Sequence, residues 1–312
     1  MVTLRERIEG GIYGLLVGDA LGVPYEFHAQ NEIPPALEIE FNPPEYFERA
    51  HKTIAPGTWS DDGAQALVLL ASLLNCGKLD VDNFATGLVD WYETGYMAVD
   101  GNVFDVGIQT GQAIRRLNLG VKATIAGQTE QGNGNGSLMR VLPLALWHKG
   151  SDEELVNDAH QQSVVTHGHL RSQICCALYC LWARYTLFGK ANSWEEAVIR
   201  IKNIYGQYSD QYAELMWAVR PDDLIDGQGS GYVVDTLRSA KWAMKKSTYE
   251  DVVKAAITLG KDTDTTACVA GGIAGIRDGM KAIPTRWVEN LRGKDIVYSE
   301  LQKLVDWRCK YQ

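Results

Sequence analysis

The sequence predicts an all-α fold, a single domain of about a dozen helices spanning residues 1–312. Three observations support this prediction. Apolar residues recur with helical spacing in most segments, runs that alternate as strands do are absent, and no regular sequence period suggests a solenoid. The chain has 312 residues, of which 46% are hydrophobic and 22% charged, so it has ample material for a large core.

The first helix is predicted over Arg5–Leu21, where apolar residues share one face. It continues into Gly18–Glu26, a stretch that ends in a Gly-x-Pro break. Asp19 therefore lies near a helix end, and Glu26 lies in the loop that follows, where a solvated acid is the ordinary interpretation. The Pro-rich segment Asn31–Thr53 predicts an irregular excursion rather than a domain boundary.

The second helix is predicted within Thr58–Leu74 and ends near Gly77. Ser60, Asp61 and Asp62 come just before its amphipathic run. Carboxylates at a helix start satisfy exposed N–H groups and interact favourably with the helix dipole, so this pattern alone predicts no more than a good N-cap.

Three loops between helices carry candidate ligand-binding residues. Gly132–Leu144 is rich in glycine, so its backbone can approach a ligand or form an anion-binding nest, although a plain loop before a helix is the commoner case. It lacks the Lys-Ser/Thr and the preceding strand of a P-loop. His167 lies in the THGH turn, where a hydrogen-bonded loop residue is the simplest interpretation. Gly227–Tyr232 predicts a flexible loop.

Apolar periodicity predicts further helices, of which the one within Gly101–Arg116 is preceded by a loop. They are predicted over Val81–Thr94, Gly101–Arg116, Asp152–Thr166, Leu170–Leu187, Trp194–Tyr208, Tyr212–Arg220, Val233–Met244 and Ser299–Tyr311.

A central buried helix is predicted within Leu259–Gly279, because its residues are small and apolar and let neighbouring helices approach closely. Asp262, Asp264 and Thr265 lie at its N-terminal end. This is the second acidic helix start of the chain. If the two starts meet, four carboxylates share one place and must bind cations or take up protons. Hard oxygen ligands suit Mg²⁺ or Mn²⁺.

Two other metal motifs are excluded by spacing. An EF-hand loop beginning at Asp262 needs Gly at its sixth position and Glu at its twelfth, where this chain has Ala267 and Ile273. A prenyl-diphosphate type of motif needs a second acid four residues after Asp61, where the chain has Gln65. Two separated helix starts and a loop acid suit a pair of divalent ions with one nearby acid/base.

Charge and cysteine usage exclude several protein classes. The net charge is -9 and the pI about 5.2, unlike a basic nucleic-acid-binding protein. The six cysteines lie mostly in apolar helical runs and form no zinc pattern, which indicates reduced thiols. No apolar run has transmembrane length, and the N-terminus is no signal peptide. We therefore expect a cytoplasmic protein without nucleic-acid or membrane partners.

Six short motifs occur in one order along most of the chain. They are GDALGVPYE at 18–26, WSDDGA at 59–64, NGSLMR at 135–140, THGH at 166–169, SGYVVDTL at 230–237 and GKDTDTTA at 260–267. Each is weak alone, but together they are specific. In these motifs the chain resembles the ADP-ribosylglycohydrolase family, which includes the dinitrogenase-reductase-activating glycohydrolase and the ADP-ribosylarginine and ADP-ribosylserine hydrolases.

The resemblance implies an orthogonal all-α bundle with a dinuclear Mg²⁺ centre. By motif matching, one side of the centre is assigned to Ser60, Asp61 and Asp62. The other side is assigned to Asp262, Asp264 and Thr265, with Asp264 bridging the ions. The family usually has Thr where this chain has Ser60, so a hydroxyl is retained.

The resemblance also implies a catalytic and a substrate-binding set. Glu26 matches the loop glutamate proposed as acid/base, which acts together with Asp61 and Asp264. The ADP-ribose would be bound by Gly136, Ser137, Met139, His167 and Tyr232.

Family members cleave the glycosidic bond between ADP-ribose and a protein side chain and release ADP-ribose. We expect ADP-ribosyl-arginine as substrate, because the compact length and the motifs most resemble bacterial arginine-directed members. ADP-ribosyl-serine and O-acetyl-ADP-ribose are the alternatives. An immunity protein that reverses a toxin's modification, and a non-catalytic ADP-ribose-binding module, are two further hypotheses. The helix at the very start of the chain predicts no preceding domain, and we expect a monomer.

Overall fold

The structure is a computed structural model that describes residues 2–128, 132–224 and 226–309. It confirms the all-α prediction. Within these ranges there is no β-strand, and one isolated antiparallel bridge joins Gly134 to Tyr232.

Fifteen α-helices lie in the described ranges. They are α1 Leu4–Gly22, α2 Asp61–Cys76, α3 Val81–Thr94, α4 Ile108–Asn118, α5 Ala123–Ala126, α6 Leu142–Trp147, α7 Asp152–Val164, α8 Leu170–Leu187, α9 Ser193–Tyr205, α10 Asp210–Glu214, α11 Val233–Ala243, α12 Tyr249–Ile257, α13 Thr263–Asp278, α14 Thr285–Asn290 and α15 Lys294–Cys309. A π-helical turn, Leu215–Val219, extends α10.

Most predicted helices are confirmed within a few residues, and four helices were not predicted. Of these, α5, α6 and α14 are short. The fourth, α12, has a clear start signal, because the side chain of Thr248 accepts a hydrogen bond from the amide of Asp251. The helix predicted over Ser299–Tyr311 begins earlier, at Lys294, and its last two predicted residues lie outside the described part of the chain.

The packing of α1 against α13 organises the core. Glycines recur at every fourth position of α1, and each faces α13. A Cβ atom on Gly10 would lie 2.2 Å from the carbonyl oxygen of Gly275, and one on Gly18 would lie 2.2 Å from that of Ala267. The two backbones are therefore in direct contact. We call this contact, between Gly10, Gly14, Gly18 and Gly22 of α1 and the facing backbone of α13, the glycine seam.

Tyrosines from α12 and α8 form hydrogen bonds with the backbones of α1 and α13. The Tyr249 hydroxyl donates to the carbonyl of Gly14 at 2.8 Å, and the Tyr179 hydroxyl donates to that of Val269 at 2.9 Å. The predicted burial of the central helix is confirmed, because every residue of α13 from Thr263 to Ile276 is buried. At the end of the seam, a Cβ atom on Gly22 would lie 2.3 Å from the Cα of Asp264, so the end of α1 lies directly against the start of α13.

The segment between α1 and α2 is irregular, as predicted, with short 3₁₀ turns at Val23–Tyr25 and Ala36–Glu38. Its course returns to the end of α1, since the amide of Ala50 donates to the carbonyl of Pro24 at 2.9 Å. Among the described helices, none has both the length and the hydrophobicity needed to span a bilayer.

Candidate active site

The N-terminus of α2 is capped from a neighbouring helix. The backbone amides of Ser60 and Gly63 donate to the carboxylate of Asp19, on α1, at 2.9 and 2.8 Å. Asp19 is fully buried, and burial raises its pKa to about 7 in spite of these hydrogen bonds. The Ser60 hydroxyl accepts a hydrogen bond from the amide of Asp62 at 3.2 Å. Because Asp19 and Ser60 bind these amides, the carboxylates of Asp61 and Asp62 are left for other partners.

The N-terminus of α13 is held by different contacts. The carboxylate of Asp262 accepts a hydrogen bond from the side-chain amide of Asn135 at 2.8 Å, and it does not cap its own helix. Oδ1 of Asp264 accepts from the amide of Thr265 at 2.8 Å. The Thr263 hydroxyl donates to the carbonyl of Gly22 at 2.8 Å, which ties this helix start to the end of α1.

The two acidic helix starts meet. The Thr265 hydroxyl donates to Oδ1 of Asp62 at 3.4 Å. Oδ2 of Asp62 and Oδ2 of Asp264 are buried and have no hydrogen-bond partner. A buried carboxylate oxygen without a donor is costly, so this arrangement requires protons or cations. The donor set consists of carboxylate and hydroxyl oxygens, which fits a hard divalent cation.

Glu26 belongs to this cluster and is not a solvated loop acid. Its carboxylate oxygen and ligand oxygens of Asp262 and Asp264 all lie within 4.8 Å of one another. A second such group joins Glu26 to His51 and Asp105. Burial first, and then the charges of Asp105 and Asp262, raise the pKa of Glu26 to about 10.

The cluster is strongly self-repelling when it is ionised. Burial is the main cause that raises the pKa of Asp61, Asp62 and Asp264 well above the ordinary value, and the neighbouring carboxylates add to it. Burial and Asp262 raise the pKa of Asp105 to about 6. Bound divalent cations would relieve this repulsion, and so would protons.

A cavity of about 500 Å³ opens onto the acidic cluster. Its acidic floor is formed by Glu26, Asp61, Asp62, Asp105, Asp262 and Thr265. One wall comes from the start of α4 and the loop before it, which supply residues 106–110. The adjoining wall contacts the first, since the amide of Gly134 donates to Oε1 of Gln109 at 2.9 Å. It is formed by Gly132, Gly134, Asn135, Gly136, Met139, His167 and Gly231.

The glycine-rich wall is fixed by backbone contacts with the loop before α11. The amide of Asn135 donates to the carbonyl of Gly231 at 3.2 Å, and the amide of Val233 donates to that of Asn133 at 2.9 Å. At Gly136 a Cβ atom would lie 2.7 Å from Cε1 of His167, so only glycine lets the imidazole lie against this loop. Burial, and then the charge of Arg140, lower the pKa of His167 to about 3, which keeps this ring neutral.

A family model described as ADP-ribosylglycohydrolase matches residues 1–312. This chain belongs to the ADP-ribosylglycohydrolase family. It is therefore a hydrolase that acts on glycosyl bonds, as the resemblance of the six motifs predicted.

Two curated relatives illustrate how far the similarity extends. The chain is 29% identical over 317 residues to the ADP-ribosylarginine hydrolase Tri1 of Pseudomonas putida (strain GB-1), covering 96% of this chain and 78% of that protein. It is 28% identical over 314 residues to the ADP-ribosyl-dinitrogen reductase glycohydrolase of Rhodospirillum rubrum, covering 97% and 96%. A solved structure titled ADP-ribosylglycohydrolase-related protein complex matches with a TM-score of 0.78 and 27% identity, covering 97% of this chain and 98% of that one.

Two of the predicted ADP-ribose contacts in this ADP-ribosylglycohydrolase lie outside the lining of the cavity. The Ser137 hydroxyl is buried in the core, where it accepts a hydrogen bond from Ser163 at 2.8 Å and lies 3.4 Å from the sulfur of Cys176. Tyr232 follows a lining glycine, and its side chain is 37% exposed. Its hydroxyl accepts a hydrogen bond from Arg171 at 2.9 Å.

Sequence reasoning missed a buried support behind Asp61. Oδ2 of Asp61 accepts a hydrogen bond from the side-chain amide of Gln65 at 2.9 Å, and Oε1 of Gln65 accepts one from Arg140 at 2.8 Å. Arg140 is fully buried, and burial lowers its pKa only to about 10, so it remains a cation. The signal was present in the sequence, since Gln65 lies four residues after Asp61, one helical turn along the same face.

Two further residues, Asp105 and His51, were also missed. Both lie in irregular segments and have positive φ, 57° for Asp105 and 47° for His51. Neither belongs to a motif that periodicity or capping could identify.

Proposed function

We propose that this enzyme removes ADP-ribose from modified arginine side chains of proteins, with Mg²⁺ as its metal and Mn²⁺ as a substitute. Relatives named as an ADP-ribosylarginine hydrolase and as a glycohydrolase of ADP-ribosyl-dinitrogen reductase support this class of substrate. One observation carries the catalytic part of the proposal. Asp62 and Asp264, from two helices, each direct a buried carboxylate oxygen without a hydrogen-bond partner into one acidic cluster.

The metal ligands in this proposal come from both helix starts. They are Ser60, Asp61 and Asp62 of the α2 start and Asp262, Asp264 and Thr265 of the α13 start. When bound, the two ions supply positive charge that orients the ribose hydroxyls and stabilises charge that develops during bond cleavage.

Glu26 moves the proton in this scheme. Glu26 lines the cavity beside Asp262 and Asp264, so its carboxylic acid form can protonate the departing guanidine nitrogen. Water then attacks the anomeric carbon, and Glu26, now ionised, accepts the proton that this water loses. The products are free ADP-ribose and the unmodified arginine.

The glycine-rich wall binds the rest of the substrate. Met139 and the neutral ring of His167 offer apolar surface to a ribose, and the glycines of this wall let the backbone approach the diphosphate closely. The small residues matter because a Cβ atom would lie 2.7 Å from Oε1 of Gln109 at Gly134 and 2.7 Å from Cε1 of His167 at Gly136, so a larger residue would displace the cavity wall.

A substrate panel tests the proposal. The purified protein is assayed with ADP-ribosyl-arginine, ADP-ribosyl-serine and O-acetyl-ADP-ribose, each with Mg²⁺ and with EDTA. We expect turnover of the arginine substrate with Mg²⁺ and none with EDTA. Preferred turnover of either other substrate would replace the arginine assignment. Binding of ADP-ribose without any turnover would favour a non-catalytic module, and full activity in EDTA would refute the metal assignment.

A further inference from the structure

The side chain of His51 forms a hydrogen bond with the carboxylate of Glu26. Its Nε2 atom lies 2.6 Å from Oε2 of Glu26. Within the described part of the chain, no other group forms a hydrogen bond with this carboxylate. The two side chains are only 15% and 7% exposed, so water competes weakly for the contact. The hydrogen bond forms whichever of the two groups carries the shared proton.

The imidazole of His51 packs against two phenylalanine rings. The ring centroid lies 5.5 Å from that of Phe27 and 5.2 Å from that of Phe104. The backbone of His51 has a φ of 47°, and its carbonyl accepts a hydrogen bond from the amide of Ile54 at 2.8 Å. A non-glycine residue with this backbone conformation is uncommon, and such conformations are maintained by their surroundings.

The loop that carries His51 is attached next to Glu26. The amide of Ala50, the residue before His51, donates to the carbonyl of Pro24, two residues before Glu26. On the other side, the amide of Phe27 donates to the carbonyl of Lys261 at 2.7 Å, and the amide of Lys261 donates to that of His28 at 2.6 Å. The backbone around Glu26 is therefore joined both to the His51 loop and to the start of α13.

We infer that His51 is a positioning residue that fixes the orientation of the Glu26 carboxylate toward the substrate-binding cavity. This inference rests on the proposed function of Glu26 as the group that moves the proton. A glutamate side chain has three rotatable bonds, and a single hydrogen bond from a packed ring selects one orientation among them. Misplacement of a catalytic group by 1 Å costs about 10²-fold in rate.

Three variants of His51 separate the effect of losing its hydrogen bond from the effect of losing its side-chain volume. His51→Leu keeps the volume but removes the hydrogen bond, and His51→Gln retains a side-chain N–H donor. His51→Gly suits the positive φ and leaves a space between the Phe27 and Phe104 rings that imidazole can enter. His160→Leu is the control, because it removes a hydrogen bond of 2.8 Å from another histidine to Tyr205, away from the cavity.

We expect His51→Leu to lower kcat by about 10²-fold while KM and the Kd for ADP-ribose stay within about twofold of wild type. His51→Gln should recover most of kcat, and added imidazole should raise kcat of His51→Gly but not of His51→Leu. His160→Leu should leave kcat unchanged. Should His51→Leu fail to fold, the glycine variant with and without imidazole gives the same comparison.

Two results would overturn the inference. One is a kcat for His51→Leu within about twofold of wild type. The other is a loss that appears in KM and ADP-ribose affinity instead of kcat, or that neither glutamine nor imidazole restores. The variants are compared on whichever ADP-ribosylated substrate the wild type hydrolyses. If it hydrolyses none, the proposed function fails, and a crystal structure of His51→Leu then decides the inference by whether the Glu26 carboxylate has moved.

Discussion

The hydroxyl of Thr265 lies 3.4 Å from Oδ1 of Asp62, although 203 positions separate the two residues in the chain. This contact joins the first turn of α13 to the first turn of α2. Both helices direct the positive ends of their dipoles at the same cluster of carboxylates, which favours ionised acids there. Burial and mutual repulsion oppose ionisation, and bound divalent cations would resolve the conflict.

Replacing Asp264 by Asn should abolish catalysis and stabilise the metal-free protein. The substitution removes one of several mutually repelling buried carboxylates and keeps the shape of the side chain. We expect kcat to fall at least about 10²-fold, as when a charge-stabilising group is lost from other active sites. In EDTA the Tm should rise by about 2 °C, roughly 1 kcal/mol for a chain of this size. Calorimetry and a turnover assay measure both effects, and a fall in the Tm of the metal-free protein would contradict the repulsion argument.

Stabilisation by Mg²⁺ should increase with pH. The pKa values of Asp19, Asp105 and Glu26 are raised to about 7, 6 and 10 in the folded protein. Their values in an unfolded chain are about 4. With respect to these groups, the metal-free fold is therefore most stable below a pH of about 4. It loses stability as the pH rises from there to about 6 for Asp105, about 7 for Asp19 and about 10 for Glu26.

Metal binding requires ionised Asp61, Asp62 and Asp264, whose pKa values burial raises well above the ordinary value, and it releases their protons, so it opposes that loss. The Tm difference between Mg²⁺ and EDTA is measured from pH 5 to pH 8, where we expect it to grow. A difference that is constant or that shrinks with pH would show that the cluster is already ionised without metal.

Replacing Asp19 by Ala should destabilise the protein more than an ordinary cap substitution does. The variant leaves the amides of Ser60 and Gly63 buried without an acceptor, at about 1–3 kcal/mol each. Asp80→Ala is the matched control, because Asp80 accepts from the amide of Asn83 at 3.0 Å at an exposed helix start and should cost about 1 kcal/mol. Urea unfolding compares the two, and equal losses would refute the buried capping role.

Replacing Gly136 by Ala should weaken ADP-ribose binding. The new methyl group would lie 2.7 Å from Cε1 and 3.1 Å from Nε2 of His167, so the ring or the loop must move. A displacement that costs about 1.4 kcal/mol raises Kd tenfold.

Gly111→Ala is the control for this substitution, since its nearest contact would be 3.8 Å away and it lies inside α4. It should bind normally and stabilise the protein by about 0.5–1 kcal/mol. Titration calorimetry measures the Kd for ADP-ribose of both variants and of the wild type. Equal affinity of the Gly136 variant and wild type would show that His167 can move away without consequence for the ligand.

The sequence predicted the parts of the site that depend on local patterns. The starts of α2 and α13 follow from acidic residues before apolar runs, and the burial of α13 follows from its small side chains. Other parts depend on tertiary contacts without a local pattern. Asp105 and His51 reach Glu26 from irregular loops with positive φ, and the inward direction of Ser137 is set by its bond with Ser163.

The glycine seam fixes the spacing between α1 and α13. Main-chain atoms of α1 and α13 touch, so the two helices cannot come closer, and any residue larger than glycine along the seam would force them apart. The distance from the end of α1 to the first turn of α13 is thus set by the contact between the two backbones. Changes in the shape of the cavity must therefore come from its irregular lining segments, such as residues 105–107 and 134–136, and not from the spacing of this helix pair.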